Sequence, residues 1–404
     1  VTLGALGRIV VVSLLGLVPA IIVLGALEIA FRQRFESETL FQGAIQHFFV
    51  LDPITLVEVR PNLSHDRPII VGGKPFPVTT NADGLRDRAV RERRPDVVRV
   101  LAIGTSFTFG WGVGDDESWP AQLEQVLRER KSLPFEVEVV NGGANGLIDP
   151  FKRYLSRLSR YNPDIVVMET RANFPSPAID LDKDRLDTYL NPVRDFPEGL
   201  PYYIDDNGYL RRHIFDSPLL RQLSRASALF RQISVRVLRT HENRAQRDLA
   251  SDPEWLRSVK LFHDQPIEAV NHILNVDRFL AHDDVAFLAL LWRGVPERWW
   301  QDIPGPTPNA KAVANLAAAS VPALDLLPVL DRTVMPQAFI EDGHWSAAGN
   351  RLVAESVATL LETHKDQVLA HLRRRAERGL VELDRERLAA DSARDVSTGE
   401  NGER

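Results

Sequence analysis

Apolar and polar positions change rhythm along this chain, and each change marks an element. An uncharged apolar run over 9–27, bracketed by Arg8 and Glu28, has the length of a bilayer-spanning helix. It predicts a single-pass transmembrane anchor over 9–30, preceded by a short N-terminal end, 1–8. The run is long for a signal-peptide core, and no convincing small-x-small cleavage site follows before Arg32, which favours an anchor over a cleaved leader. Charge leaves the orientation open, since Arg8 and the amino terminus on one side face Arg32 and Arg34 on the other. A mixed extension, 31–95, comes next. In it 76–80 reads as extended, Asn81-Ala82-Asp83-Gly84 as a turn and 86–94 as a heavily charged run.

From 97 onward, mostly apolar runs alternate with helical periods. Strands are predicted over 97–103, 137–140, 165–168 and 285–291, with helices over 119–129 and 151–159 among them. That alternation implies a parallel sheet in an α/β fold. A long insertion, about 175–280, carries helical patterns at 219–238 and 255–273 and predicts a helical cap or side layer. The 321–330 stretch is a weaker strand because Pro322 and Pro328 interrupt it, whereas 346–361 has a helical period with Ser346 as its N-cap. The remainder, 364–404, reads as a charged, solvated tail in which Arg373-Arg374-Arg375 lies on a polar helix.

Composition narrows the function classes. The chain has 404 residues, 44% of them hydrophobic, enough for a large core. Its net charge of −6 gives no basic footprint, so no nucleic-acid partner is expected. The absence of cysteine removes disulfides and thiolate metal ligands. The histidines and tryptophans, among them Trp119, Trp299 and Trp300, have no metal-site spacing, and no P-loop or dinucleotide fingerprint is present. Neither metal nor cofactor is expected.

The candidate chemistry sits at strand ends. Gly104-Thr105-Ser106-Phe107-Thr108-Phe109-Gly110 follows the 97–103 strand, and a serine on such a turn presents its hydroxyl to the crevice of an open α/β sheet. Serine acyl transfer needs a base, an acid that orients the base, and oxyanion donors. His344, in Glu341-Asp342-Gly343-His344-Trp345, is the candidate base, on a loop just ahead of the Ser346-capped helix; Asp342 and Glu341 are both candidate acids. Asn141-Gly142-Gly143-Ala144-Asn145-Gly146 follows the second strand, where glycine backbone can approach a ligand and offer an N–H. Asn173, after the third strand, has an amide that can serve as a further donor.

Taken together, these segments resemble the blocks of the SGNH (GDSL-like) hydrolase superfamily over 97–361. The Thr79-Thr80-Asn81-Ala82-Asp83-Gly84-Leu85-Arg86 stretch resembles its membrane-anchored bacterial members. The resemblance implies a flavodoxin-like three-layer α/β/α domain over 96–363. It assigns Ser106 as nucleophile, His344 as base, and the Ser106 N–H, Gly146 and Asn173 as the oxyanion hole. It puts the acid at Glu341 by the commoner spacing, or at Asp342 by the Asp-x-His pattern of the anchored relatives, which is preferred. Two further departures stand out: Thr105 replaces the usual acidic neighbour of the nucleophile, and Phe174 stands where an aspartate usually follows the asparagine. The implied activity is an envelope esterase or O-deacetylase acting on an acylated glycan or lipid outside the inner membrane. The Gly-Thr-Ser turn is similar to that of the alginate O-acetyltransferase branch, which raises acyl transfer as one alternative; a catalytically silent binding module is another. The oligomeric state is not legible.

Overall fold

The computed structural model describes residues 3–35, 47–64, 69–71, 74–87, 94, 96–144, 150–170, 202–204, 210–212, 217–237, 240, 266–292, 305–331 and 335–379. The chain divides into two compact units. One comprises Val1–His47 and Arg194–Asp252, the other Phe48–Val193 and Pro253–Arg404.

The larger unit is built on five parallel strands: β1 (Val97–Gly104), β2 (Glu136–Gly143), β3 (Ile165–Thr170), β4 (Ala286–Leu291) and β5 (Ala323–Asp325). Their order across the sheet is β5-β4-β3-β1-β2, the flavodoxin-like order. Side chains alternate between the faces of each strand. Val98, Val100, Ala102, Val167 and Leu288 pack with helices α2 (Trp119–Arg130), α5 (Ala347–Thr363) and α6 (Lys365–Glu377). Leu101, Ile103, Val166, Met168 and Phe287 face the other way, onto α3 (Ile267–His282), α4 (Pro308–Ala318) and the irregular helical segment over 150–161. Two helical layers thus enclose the sheet, which explains why its strands read as mostly apolar runs. The strand order reverses at β1 and β3, and the crevice beyond their C-terminal ends is where open α/β sheets bind ligands.

Several expectations change. Of the cap or side layer expected over about 175–280, α3 forms a side layer: Ile273, Val276 and Leu280 pack it on the sheet as part of the core, so the insertion ends earlier. An unexpected antiparallel hairpin, Tyr202–Ile204 with Leu210–Arg212, lies within the expected insertion, in the smaller unit. The helix expected over 151–159 is one α-helical turn, Pro150–Arg153, followed by a π-helical turn, Tyr154–Leu158, and a 3-10 turn, Ser159–Tyr161. The candidate strand over 321–330 shrinks to β5, three residues between the two prolines.

The tail expected from 364 is core as far as α6. Val368, Leu369 and Leu372 are buried in the main cluster, and Arg375, expected on a solvated face, is buried against Asp164 at 2.9 Å. Asp164 also accepts the Arg99 N–H at 2.8 Å, so the helix is tied to the N-terminal edge of the sheet.

In the smaller unit the apolar run lies in one helix, Leu3–Phe35. Its side chains are described from Leu17 to Gln33, a stretch that runs into Glu28 and Arg32. Among the described residues no helix is long and apolar enough to cross a membrane, so the expected span is not found there. Glu28 instead accepts hydrogen bonds from the Ala228 and Leu229 N–H groups at 2.8 and 3.0 Å.

Candidate active site

Ser106 opens a one-turn helix, α1 (Ser106–Phe109), directly after β1. Thr105 is its N-cap, with its hydroxyl accepting from the Phe107 N–H at 3.3 Å, and Gly110 closes the turn in the left-handed region at φ 81°. The turn is seated tightly. A Cβ on Gly143, at the end of β2, would collide with the main chain at Thr108 and Phe109, so the glycine lets α1 lie on the strand end.

Arg86 holds the segment that follows. Its guanidinium is fully buried; it pairs with Asp115 at 2.9 Å and donates to the carbonyls of Phe109, Gly110, Val113 and Pro77. Burial weakens its hold on the proton, and Asp115 works against that. Thr79 fixes Asp115 in turn, its hydroxyl donating at 2.6 Å. The expected turn at Asn81–Gly84 is present, with the Asn81 side chain accepting from the Asp83 and Leu85 N–H groups and Gly84 at φ 75°.

The histidine arrives from a second loop. Phe339 and Trp345 form an isolated antiparallel bridge, and between them the Ile340 N–H donates to the His344 carbonyl at 2.9 Å. Ser346 then caps α5, as expected, accepting from the Gly349 N–H at 3.2 Å. Buried Asn350 ties this loop to the start of α2. It accepts from the Trp119 N–H at 2.9 Å and donates to the Trp345 carbonyl at 3.1 Å.

The two loops bring Ser106 Oγ to 2.8 Å from His344 Nε2. Asp342 Oδ1 lies 3.1 Å from His344 Nδ1, an oblique approach rather than one in line with the ring N–H, and accepts the His344 main-chain N–H at 3.0 Å. This is an Asx-type turn, in which a carboxylate folds back over the residue two places on. Trp111 Nε1–H donates to the other oxygen, Asp342 Oδ2, at 3.2 Å. Burial alone would push the Asp342 carboxyl up, but the side chain and N–H of His344 together with Trp111 outweigh it and hold the carboxyl below the usual range. The Phe107 ring packs on the imidazole at 4.7 Å, tilted by 31°.

Of the sequence candidates, then, Ser106, His344 and Asp342 come together. Glu341 is exposed and lines a flanking cavity of about 1110 Å³ with Asp115, Asp116, Glu117 and Glu124. Gly146 and Asn173 lie outside the described residues, as does Phe174. Sequence reasoning missed Arg86, Trp111, Glu169 and Asn350. Of these, Trp111 carried a signal as an aromatic between two glycines just after the nucleophile turn, and Arg86 as the last residue of the Thr79–Arg86 stretch.

No protein-family model matches the chain, and no match is found among curated proteins. Solved structures similar to it include a G-D-S-L family protein from Desulfitobacterium hafniense DCB-2, at 16% identity over 65% of this chain and 99% of that one, with a TM-score of 0.33. AlinE4, an SGNH-hydrolase family esterase, is also similar, at 16% identity over 69% of this chain and 99% of that one, with a TM-score of 0.26.

Proposed function

We propose that this chain is a serine-dependent ester hydrolase of the SGNH type. One observation carries the reading: a serine hydroxyl at the C-terminal edge of a parallel sheet, 2.8 Å from an imidazole whose other nitrogen faces a carboxylate at 3.1 Å. With the proton on Nδ1, His344 Nε2 accepts the Ser106 proton as Oγ attacks the acyl carbonyl carbon. Asp342 steadies the imidazolium that results. The new oxyanion is held by the Ser106 N–H at the start of α1, with the Gly146 N–H and the Asn173 amide in the roles that the sequence assigns them. His344 then returns the proton to the departing alkoxide as the carbonyl carbon–oxygen bond breaks. In the second half, water attacks the acyl-enzyme with His344 again as base, releasing the acid and free Ser106.

The proposed substrate class is an acyl ester of an envelope glycan or lipid, reached by a domain tethered through the 9–30 segment and lying outside the inner membrane. The uncharged run over 9–27 within one 33-residue helix supports the tether. Transfer to a sugar hydroxyl instead of water is the second reading, favoured by the Gly-Thr-Ser turn; added glycan would then divert the acyl group from free acid to glycan ester. The test is hydrolysis of p-nitrophenyl acetate by the native chain and by Ser106→Ala. The variant is expected to lose at least about 10³-fold in rate. Activity retained in the variant removes Ser106 from the role, and a native chain that turns over no ester leaves a silent binding module.

A further inference from the structure

We infer that Glu169 is the positioning residue that sets the Ser106 turn, an inference that rests on Ser106 being the nucleophile. Glu169 sits near the end of β3, next to β1 in the sheet, and is fully buried. One oxygen, Oε2, gathers three donors from the nucleophile turn: the Thr105 N–H at 2.7 Å, the Thr105 hydroxyl at 2.8 Å and the Thr108 hydroxyl at 3.2 Å. Each residue is fixed from a second side. Thr105 Oγ1 accepts the Phe107 N–H, and Thr108 Oγ1 accepts the Trp119 indole N–H at 3.3 Å. Gly104 completes the packing, since a Cβ there would overlap Thr108 Oγ1 and lie 2.7 Å from Glu169 Oε2.

A carboxylate is strongly disfavoured in a sheet interior unless several donors meet it, and hydrogen bonds to it are the strong kind. Residues 105 and 108 lie on either side of Ser106 in the chain, so fixing both fixes the main chain that places the Ser106 Cβ, from which the hydroxyl projects, and aims its N–H. Those two groups carry the proposed attack and the proposed oxyanion contact. Glu169 touches neither and acts through Thr105. Losing it loosens the geometry of the reacting serine without removing any group that binds the ester, so the effect falls on kcat rather than on KM.

The pairing also makes a reciprocal demand. Thr105 is buried with its hydroxyl on Glu169, so an aspartate at 105 places two carboxylates within hydrogen-bonding distance, and they repel. An aspartate at 105 facing a glutamine at 169 restores one acceptor and one donor. The experiment is a double-mutant cycle on the full chain with Glu169→Gln, Thr105→Asp and the two combined, read as kcat and KM on p-nitrophenyl acetate and as thermal midpoint. Each single variant is expected to lose about tenfold or more in kcat with KM nearly unchanged, and the double variant to return to within about threefold of native.

Losses that multiply in the double variant, or that fall on KM alone, overturn the inference. If Glu169→Gln does not fold, Thr105→Val removes the hydroxyl's bonds to Glu169 and to the Phe107 N–H while keeping the main-chain bond, and native kcat in that variant overturns it too. A native chain with no esterase activity defeats the functional reading instead. The cycle in thermal midpoint then decides this one, with a recovered midpoint in the double variant supporting it and additive losses overturning it.

Discussion

A carboxylate two residues ahead of a histidine reaches it only where the chain turns back on itself, and Asp342 does so by accepting the His344 N–H at 3.0 Å. That bond places Asp342, rather than Glu341, beside His344 Nδ1 at 3.1 Å. Asp342→Asn is therefore expected to lower ester turnover by roughly 10²-fold or more, because an amide no longer fixes the tautomer with the proton on Nδ1. Glu341→Gln should stay within about threefold of native, since Glu341 is exposed; the opposite ranking in a kinetic comparison moves the role to Glu341. The same residue makes a pH prediction. The Asp342 carboxyl is held below its ordinary value, so its contribution to stability is fully present above about pH 4 and is lost as the pH falls through the lowered folded value. Thermal midpoints of native and Asp342→Asn should differ at pH 7 and converge in acid; a constant gap means the carboxylate is not paired as described. At this scale the sequence was informative for the reacting groups. Ser106, His344 and the Asp-x-His spacing are local patterns. Glu169 and Asn350 bond across 64 and 231 positions, distances at which a single sequence carries no pairing signal.

Among the elements, the one-turn helix α1 is too short to hold itself, and its position comes from its neighbours. Gly143 lies beneath it, Arg86 binds the carbonyls at its end, and Glu169 holds its N-cap. The glycines from the end of β2 onward read in the sequence as room for a ligand; at Gly143 the close neighbour is α1 itself. Gly143→Ala forces main chain against main chain, which cannot relax by a rotamer change. It is expected to destabilise the fold by about 1–3 kcal/mol and to reduce ester turnover in step. A native thermal midpoint in that variant would show that α1 does not rest on β2 as described. The role of Arg86, though not its presence in a recognisable stretch, was illegible for a related reason. Arg86 begins a charged run that looks like a solvated face, and only the fold reveals the main-chain carbonyls that its guanidinium satisfies. The strands were the most legible elements, since burial on both faces leaves long apolar runs, whereas β5 has three residues and no run to read.

On the scale of the whole molecule, the boundaries were harder to read than the architecture. Alternating patterns imply a parallel sheet wherever they occur. The end of a domain depends on which polar residues find buried partners, and Arg375 with Asp164 carries the core to α6 although the local sequence is highly charged. The N-terminal helix poses the complementary question, because its apolar run and its charged end favour different surroundings. If 9–30 is an anchor, residues 1–8 lie in the cytoplasm and everything after Arg32 lies outside the inner membrane. A tether of that kind holds the enzyme at high effective concentration beside envelope esters, the substrate class proposed above. The arginines on the two sides nearly balance, so charge alone does not choose this orientation. Reporters fused after Arg404 decide it. A reporter active only in the periplasm is expected to give signal, and one active only in the cytoplasm is expected to be silent. Signal from the cytoplasmic reporter overturns the outward topology, and with it the envelope substrate, while leaving the Ser106–His344–Asp342 chemistry to be judged by its own kinetics.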